Sequence, residues 1–176
     1  DPALLPPLRE AVERVVARST AWTTSYLDDP VLPELDALLR SDWPFVPERL
    51  TVVDGALDAM SRVVEVVVRL GDRVAMENPG FPPLIDLLDR AGAEIVPLSM
   101  DEEGVTPASL AAALEWGPVA VFLQPRAQNP TGISMTRDRA RALAAVLESS
   151  SASSAIVVED DHSGDIATGE DESIGR

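Results

Sequence analysis

Arg73-Val74-Ala75-Met76-Glu77, stopped at once by Asn78-Pro79-Gly80-Phe81, is a short, nearly continuous apolar run closed by a turn. A run of this kind suits a strand covered on both faces better than one with a wet side. Before it, residues 55–70 place Leu57, Met60, Val64, Val67 and Val68 on one helical face, and residues 50–53 form a further short β run. After it the rhythm repeats: helix 83–91, strand 94–98, helix 107–115, strand 119–123, helix 137–147, strand 155–159. Five strands separated by helices predict an α/β chain, a three-layer α/β/α arrangement with a mostly parallel sheet. Thr106 before Pro107, and Thr136 before Arg137, carry helix-start signals that agree with this reading.

The N-terminal part is less regular. Leu5, Leu8, Val12, Val15 and Val16 recur at helical spacing, and residues 20–48 mix turn signals with a short helical pattern over 33–39. Residues 1–48 therefore read as a helix and an arm, and 49–176 as a ligand-binding domain. The polar tail Thr168-Gly169-Glu170-Asp171-Glu172 is expected to be mobile.

Composition narrows the chemistry. The chain has 176 residues, 45% apolar, which is enough to bury a core without disulfides or a structural metal. It has no Cys, so thiolate chemistry is excluded. With 30 acidic against 14 basic residues and a net charge of −16, the segment repels nucleic-acid backbones and anionic membranes. Apolar runs such as 63–68 fall short of the ~20 residues a membrane span needs. Asp1-Pro2-Ala3-Leu4 lacks the cationic start of a signal peptide, and Asn129-Pro130-Thr131 has Pro where a glycosylation acceptor forbids it. A cytoplasmic setting with no membrane partner is expected.

In open α/β sheets ligands bind beyond the carboxyl ends of the strands. Four segments stand at such ends: Asp54-Gly55-Ala56, Asn78-Pro79-Gly80-Phe81, Gln128-Asn129-Pro130-Thr131-Gly132 and Asp160-Asp161-His162. Gly55-Ala56 opens a helix whose free N–H groups and dipole suit a phosphate; equally, Asp54 could cap that helix with no ligand involved. The chain's two Asn residues both precede Pro, and the Asn129 amide could donate into a cleft. Phe81 could cover a planar ligand or fill the core. Asp160 closes an apolar strand where a carboxylate needs a partner such as a protonated heteroaromatic nitrogen, and His162 is the only His. The bland alternative is a solvated acidic turn; another is a divalent-metal cluster of Glu159, Asp160 and Asp161.

Taken in order, Asp54-Gly55-Ala56-Leu57, Asn78-Pro79-Gly80-Phe81, Ala127-Gln128-Asn129-Pro130-Thr131-Gly132 and Val158-Glu159-Asp160-Asp161-His162 resemble the motifs of fold-type-I pyridoxal-phosphate enzymes, the class I/II aminotransferases. Their wording is most similar to the aminotransferase-like domain of MocR-type regulators, which a GntR-type winged helix-turn-helix domain precedes. The resemblance implies that backbone amides of Gly55, Ala56 and Leu57 hold the cofactor phosphate and that Phe81 stacks on the pyridine ring. It implies that Asn129 hydrogen-bonds the phenolic oxygen, with His162 where relatives often place a Tyr on that same oxygen. Asp160 would pair with the pyridinium nitrogen and keep the ring an electron sink. Tyr26 matches a region that reaches the partner's phosphate in a homodimer, although Val31 stands where relatives often have Gly.

The resemblance also implies a small-molecule amino acid or amine as substrate or effector, and DNA contact only through a domain outside this chain. The family's Schiff-base Lys is absent, since this sequence has no Lys. The expectation is an incomplete large domain that alone neither transaminates nor binds DNA. Its parent would be a regulator or a stand-alone aminotransferase. A distant alternative, a receiver-like acidic metal-binding domain suggested by residues 155–162, needs a phosphoacceptor Asp, a Lys and about a hundred further residues.

Overall fold

A computed structural model of the protein describes residues 7–18, 30–150 and 154–175. Helices α1 (Leu8–Arg18), α2 (Pro33–Asp42) and α3 (Ala56–Val67) come first. There follow β1 (Arg73–Asn78), α4 (Pro82–Ala91), β2 (Glu94–Asp101), β3 (Gly104–Val105), α5 (Pro107–Leu114), β4 (Ala120–Leu123), α6 (Arg137–Ser149) and β5 (Ile156–Glu159), with a 3-10 turn at Gly164–Ile166. The sheet order is β3-β2-β1-β4-β5. All neighbours are parallel except the β2/β3 pair, in which Met100 faces Val105 and Asp101 faces Gly104.

Alternation along the strands divides the core into two layers, as the sheet pleat requires. Val74, Met76, Ala120 and Phe122 point to one face, where they meet Met60 and Val64 of α3 and Leu84 and Leu88 of α4. Ala75, Leu98, Val121 and Leu123 point to the other, against Leu110 of α5 and Ala140 and Leu143 of α6. The three-layer α/β/α arrangement with a mostly parallel sheet is thus the observed one. Thr106 and Thr136 cap α5 and α6 by accepting from the Ser109 and Arg139 amides.

Three sequence expectations need correction. Residues 50–53 are not a strand; the fifth strand is β3 instead, a two-residue return too short to show a period. The start of α3 is not capped by Asp54: Gly55 at φ 98° is the N-cap, no side chain caps it, and the Asp54 amide instead donates to the Asp58 carboxylate. The tail is docked. Glu172 and Ser173 are buried, Arg137 bonds Glu172, and Glu159 accepts from the Ser173 hydroxyl and the Ile174 amide. Polar residues can pack where each finds a partner, and local composition does not reveal partners. The apolar stripe of α1, Leu8, Val12, Val15 and Val16, is exposed. Among the described residues no helix is long and apolar enough to cross a membrane.

The β2/β3 return is tied to α6 by one side chain. Arg139 donates to both Asp101 oxygens, to Glu103 and to the Gly104 and Val105 carbonyls, while Thr136 donates to Glu103. Arg139→Ala removes its hydrogen bonds to Asp101, Glu103 and these two carbonyls and is expected to cost about 1–3 kcal/mol. Urea denaturation of the intact protein measures it, and an unchanged midpoint would discard this role.

Candidate functional site

The strand order places the site. From β1 the chain runs outward to β2 on one side and then returns to β4 on the other, so the crevice between the β1 and β4 carboxyl ends is a topological switch point. The loops after β1, β4 and β5 lie side by side there. A recess at this point is lined by Met60, Gly80, Phe81, Gln124 and Asp160, with Glu77 at its base.

Asp160 extends the β5 ladder through its amide, which donates to the Leu123 carbonyl at 2.8 Å. Its Oδ2 accepts from Gln124 Nε2 at 2.8 Å, and among the described residues no donor reaches the other oxygen. Asp161 turns the opposite way, into a two-pronged ion pair with the buried Arg126. Glu159 is engaged by Ser173 and Ile174. These neighbouring carboxylates diverge to different partners, which corrects the metal-cluster alternative: among the described residues no such group could hold a metal.

Asn129 is exposed, yet its backbone is held at both ends. Its N–H donates to Gln124 Oε1 at 2.9 Å and its carbonyl accepts from Gln128 Nε2 at 3.1 Å. The side-chain amide makes no hydrogen bond among the described residues, so a rigid main chain presents a free donor. Both Asn-Pro bonds, 78–79 and 129–130, are cis. Phe81 is half-buried: it packs against the core beneath α4, as the core reading expects, and also lines the recess. His162 is exposed, with Nδ1 3.5 Å from the Gln124 Nε2 that serves Asp160, a contact rather than a good hydrogen bond. Gly55, Ala56 and Leu57 are exposed at the uncapped start of α3, the helix whose next turn delivers Met60 to the recess. Tyr26 lies outside the described residues.

The structure adds Glu77, Gln124 and Gln128. Gln128 is 1% exposed, and its amide is saturated: Nε2 donates to Glu77, Pro79 and Asn129, and Oε1 accepts from the Thr131 amide and hydroxyl. Glu77, 7% exposed, accepts from the Gln124 amide at 3.0 Å and from Gln128 Nε2 at 3.2 Å. Burial pushes its carboxyl up to about 7, the two hydrogen bonds oppose the rise, and the Asp160 charge adds to it. One signal pointed here: the two glutamines are the only ones in the chain.

The recess, about 10 Å³ in volume, is rimmed by an acceptor, a donor on a locked turn, an aromatic ring and an uncapped helix start, the kinds of group that a flat heteroaromatic phosphate needs. The family description "Aminotransferase class I and II" matches residues 3–170. The chain is similar to the vitamin B6 salvage pathway transcriptional repressor PtsJ of Salmonella typhimurium, 40% identical over 92% of this chain and 37% of that protein. It is similar to the HTH-type transcriptional regulator TauR of Rhodobacter capsulatus, 32% identical over 77% of this chain and 27% of that one. Its fold matches LysN, the α-aminoadipate aminotransferase of Thermus thermophilus solved with N-(5'-phosphopyridoxyl)-L-leucine, with a TM-score of 0.74 at 24% identity, covering 88% of this chain and 40% of that one. The chain spans 37% and 27% of the length of these two curated relatives.

Proposed function

The chain belongs to the class I and II aminotransferase family, and from that premise we propose that it is the pyridoxal-phosphate-binding core of an aminotransferase-like protein, the effector domain of a MocR/GntR-type transcription regulator. The observation that carries this reading is the recess that the unsaturated Asp160 and Phe81 line together at the switch point, with the Asn129 backbone held by the same Gln124 that holds Asp160.

In this reading Asp160, aimed by Gln124, holds a proton on the ring nitrogen. Phe81 covers one face of the ring and excludes water from it. The Asn129 amide donates to the phenolic oxygen, and His162 stands beside that oxygen. The amides of Gly55, Ala56 and Leu57 take the phosphate, with Tyr26 of a homodimer partner completing its cradle. When bound, the cofactor supplies an electron sink for charge developing at the α-carbon of an amino acid or amine. Residues 1–48 serve as helix and arm, and 49–176 as part of the large domain. Cytoplasmic location and DNA contact through a separate domain complete the proposal.

The similarity to PtsJ, named for vitamin B6 salvage, supports a B6 vitamer as effector alongside an amino acid or amine. Titrating pyridoxal phosphate into the intact protein is the test: saturable binding that alters affinity for operator DNA is expected. Turnover of an amino donor and a keto acid without a DNA effect would favour a stand-alone aminotransferase, which the fold match to LysN equally allows. Absence of saturable binding would discard both. Because the chain has no Lys, borohydride reduction is expected to leave no pyridoxyl-lysine within residues 1–176, as peptide mass spectrometry will read.

A further inference from the structure

The following rests on reading the recess as a pyridoxal-phosphate site. We propose that Glu77 is a positioning residue of that site: from the end of β1 it fastens the Asn129 turn to the loop bearing Phe81, and so sets where the Asn129 amide stands relative to the Asp160 carboxylate.

The geometry runs through both glutamines. One Glu77 oxygen accepts from the Gln124 amide and the other from Gln128 Nε2. Gln128 also ties the Pro79 carbonyl, one residue from Gly80 and Phe81, to the Asn129 carbonyl. Gln124 holds the Asn129 amide with one end of its side chain and Asp160 with the other. Removing Glu77 thus takes the acceptor from the Gln124 backbone N–H, at the root of the side chain that holds the Asn129 N–H, and one acceptor from Gln128 Nε2, which holds the Asn129 C=O. The two oxygens of the carboxylate accept separately from the end of β4 and from the Asn129 turn, whereas Glu77→Gln would offer one acceptor oxygen.

A purely structural role would be met at lower cost by a neutral group. Glu77 lies at 7% exposure, and among the described residues Asp160 is the only other charged one lining the recesses on its two sides, where Met76, Met100, Leu123 and Met135 are typical neighbours. With its carboxyl raised from 4.5 to about 7, the folded state holds the proton more tightly than the unfolded chain. Folding stability therefore declines as pH rises through that window and is unaffected below it. A cation on the ring nitrogen at Asp160 favours the ionised Glu77, so by linkage ionising Glu77 strengthens binding.

The test uses wild type, Glu77→Gln and Glu77→Ala in the intact protein, with two readouts. Without ligand, amide hydrogen exchange at Asn129 is expected to quicken about tenfold in Glu77→Ala and less in Glu77→Gln, while Val121 in β4 is unchanged. With pyridoxal phosphate, the ratio of the Glu77→Gln to the wild-type Kd is expected to widen about tenfold from about pH 6 to pH 8. Unchanged Asn129 exchange in Glu77→Ala overturns the proposal, as does a Kd ratio that is constant with pH. If wild type binds no pyridoxal phosphate while the exchange contrast holds, the site assignment falls and the fastening role of Glu77 stands.

Discussion

Asp160→Ala is expected to raise the Kd for pyridoxal phosphate on the order of 10–100-fold in the intact protein, whereas Asp161→Ala leaves it within about threefold and lowers the melting temperature instead. The two carboxylates are adjacent in sequence but opposed in space. Asp160 offers an oxygen with no donor to the recess, and losing a charge-assisted hydrogen bond to a ring cation costs about 1.5–3 kcal/mol. Asp161 instead makes a two-pronged ion pair with Arg126, which is 9% exposed, so its loss removes two charge-assisted hydrogen bonds from the fold and none from the recess. Asp160→Asn separates charge from shape, because an amide oxygen can still accept from Gln124 Nε2; it should weaken binding nearly as much while sparing stability. Calorimetric titration beside thermal melts decides the matter. Equal losses of affinity at 160 and 161 would place the ring nitrogen elsewhere.

Gly80→Ala is expected to destabilise the intact protein by about 3 kcal/mol, the upper end for overpacking, and to weaken cofactor binding with it. A Cβ at Gly80 would stand 2.4 Å from the Glu77 carbonyl oxygen and 2.6 Å from Met76 Cε. The methionine can swing away, but the carbonyl belongs to the last turns of β1 and cannot. Relief must come from the loop, which displaces Phe81 and the Pro79 carbonyl that Gln128 holds. Gly132 offers the contrast: its φ is +75° and nothing lies within 4 Å of its would-be Cβ, so conformation alone demands glycine there. Gly132→Asn, which tolerates the left-handed region, should cost little, and Gly80→Asn should be at least as harmful as Gly80→Ala. Urea denaturation separates them. A Gly80→Ala protein within about 0.5 kcal/mol of wild type would contradict the packing argument.

What could be read in advance was whatever repeats at short range. The apolar runs at 73–77, 94–98, 119–123 and 155–159 all became strands of one sheet; the central pair, β1 and β4, is buried along its length, as a continuous apolar sequence requires, while β2 and β5 keep exposed positions. The run at 50–53 has the same local character and is not a strand. Strand status depends on a neighbour to pair with, and pairing is not a local property. Motif residues were legible for a related reason: Asp160 follows β5 directly and Asn129-Pro130-Thr131-Gly132 lies in the loop after β4, so topology carries both to the same rim.

Linear order therefore sufficed for the layering of the chain, the exclusion of cysteine and lysine chemistry, and the rim on which a ligand would rest. Folding in three dimensions was needed to send Asp161 to Arg126, to dock the polar tail on Glu159 and Arg137, and to bury Glu77 beside two glutamines. The reason is that hydrogen bonding and desolvation are set by atoms many residues away: Gln128 meets Glu77 across 51 positions of chain, a distance over which no spacing rule operates.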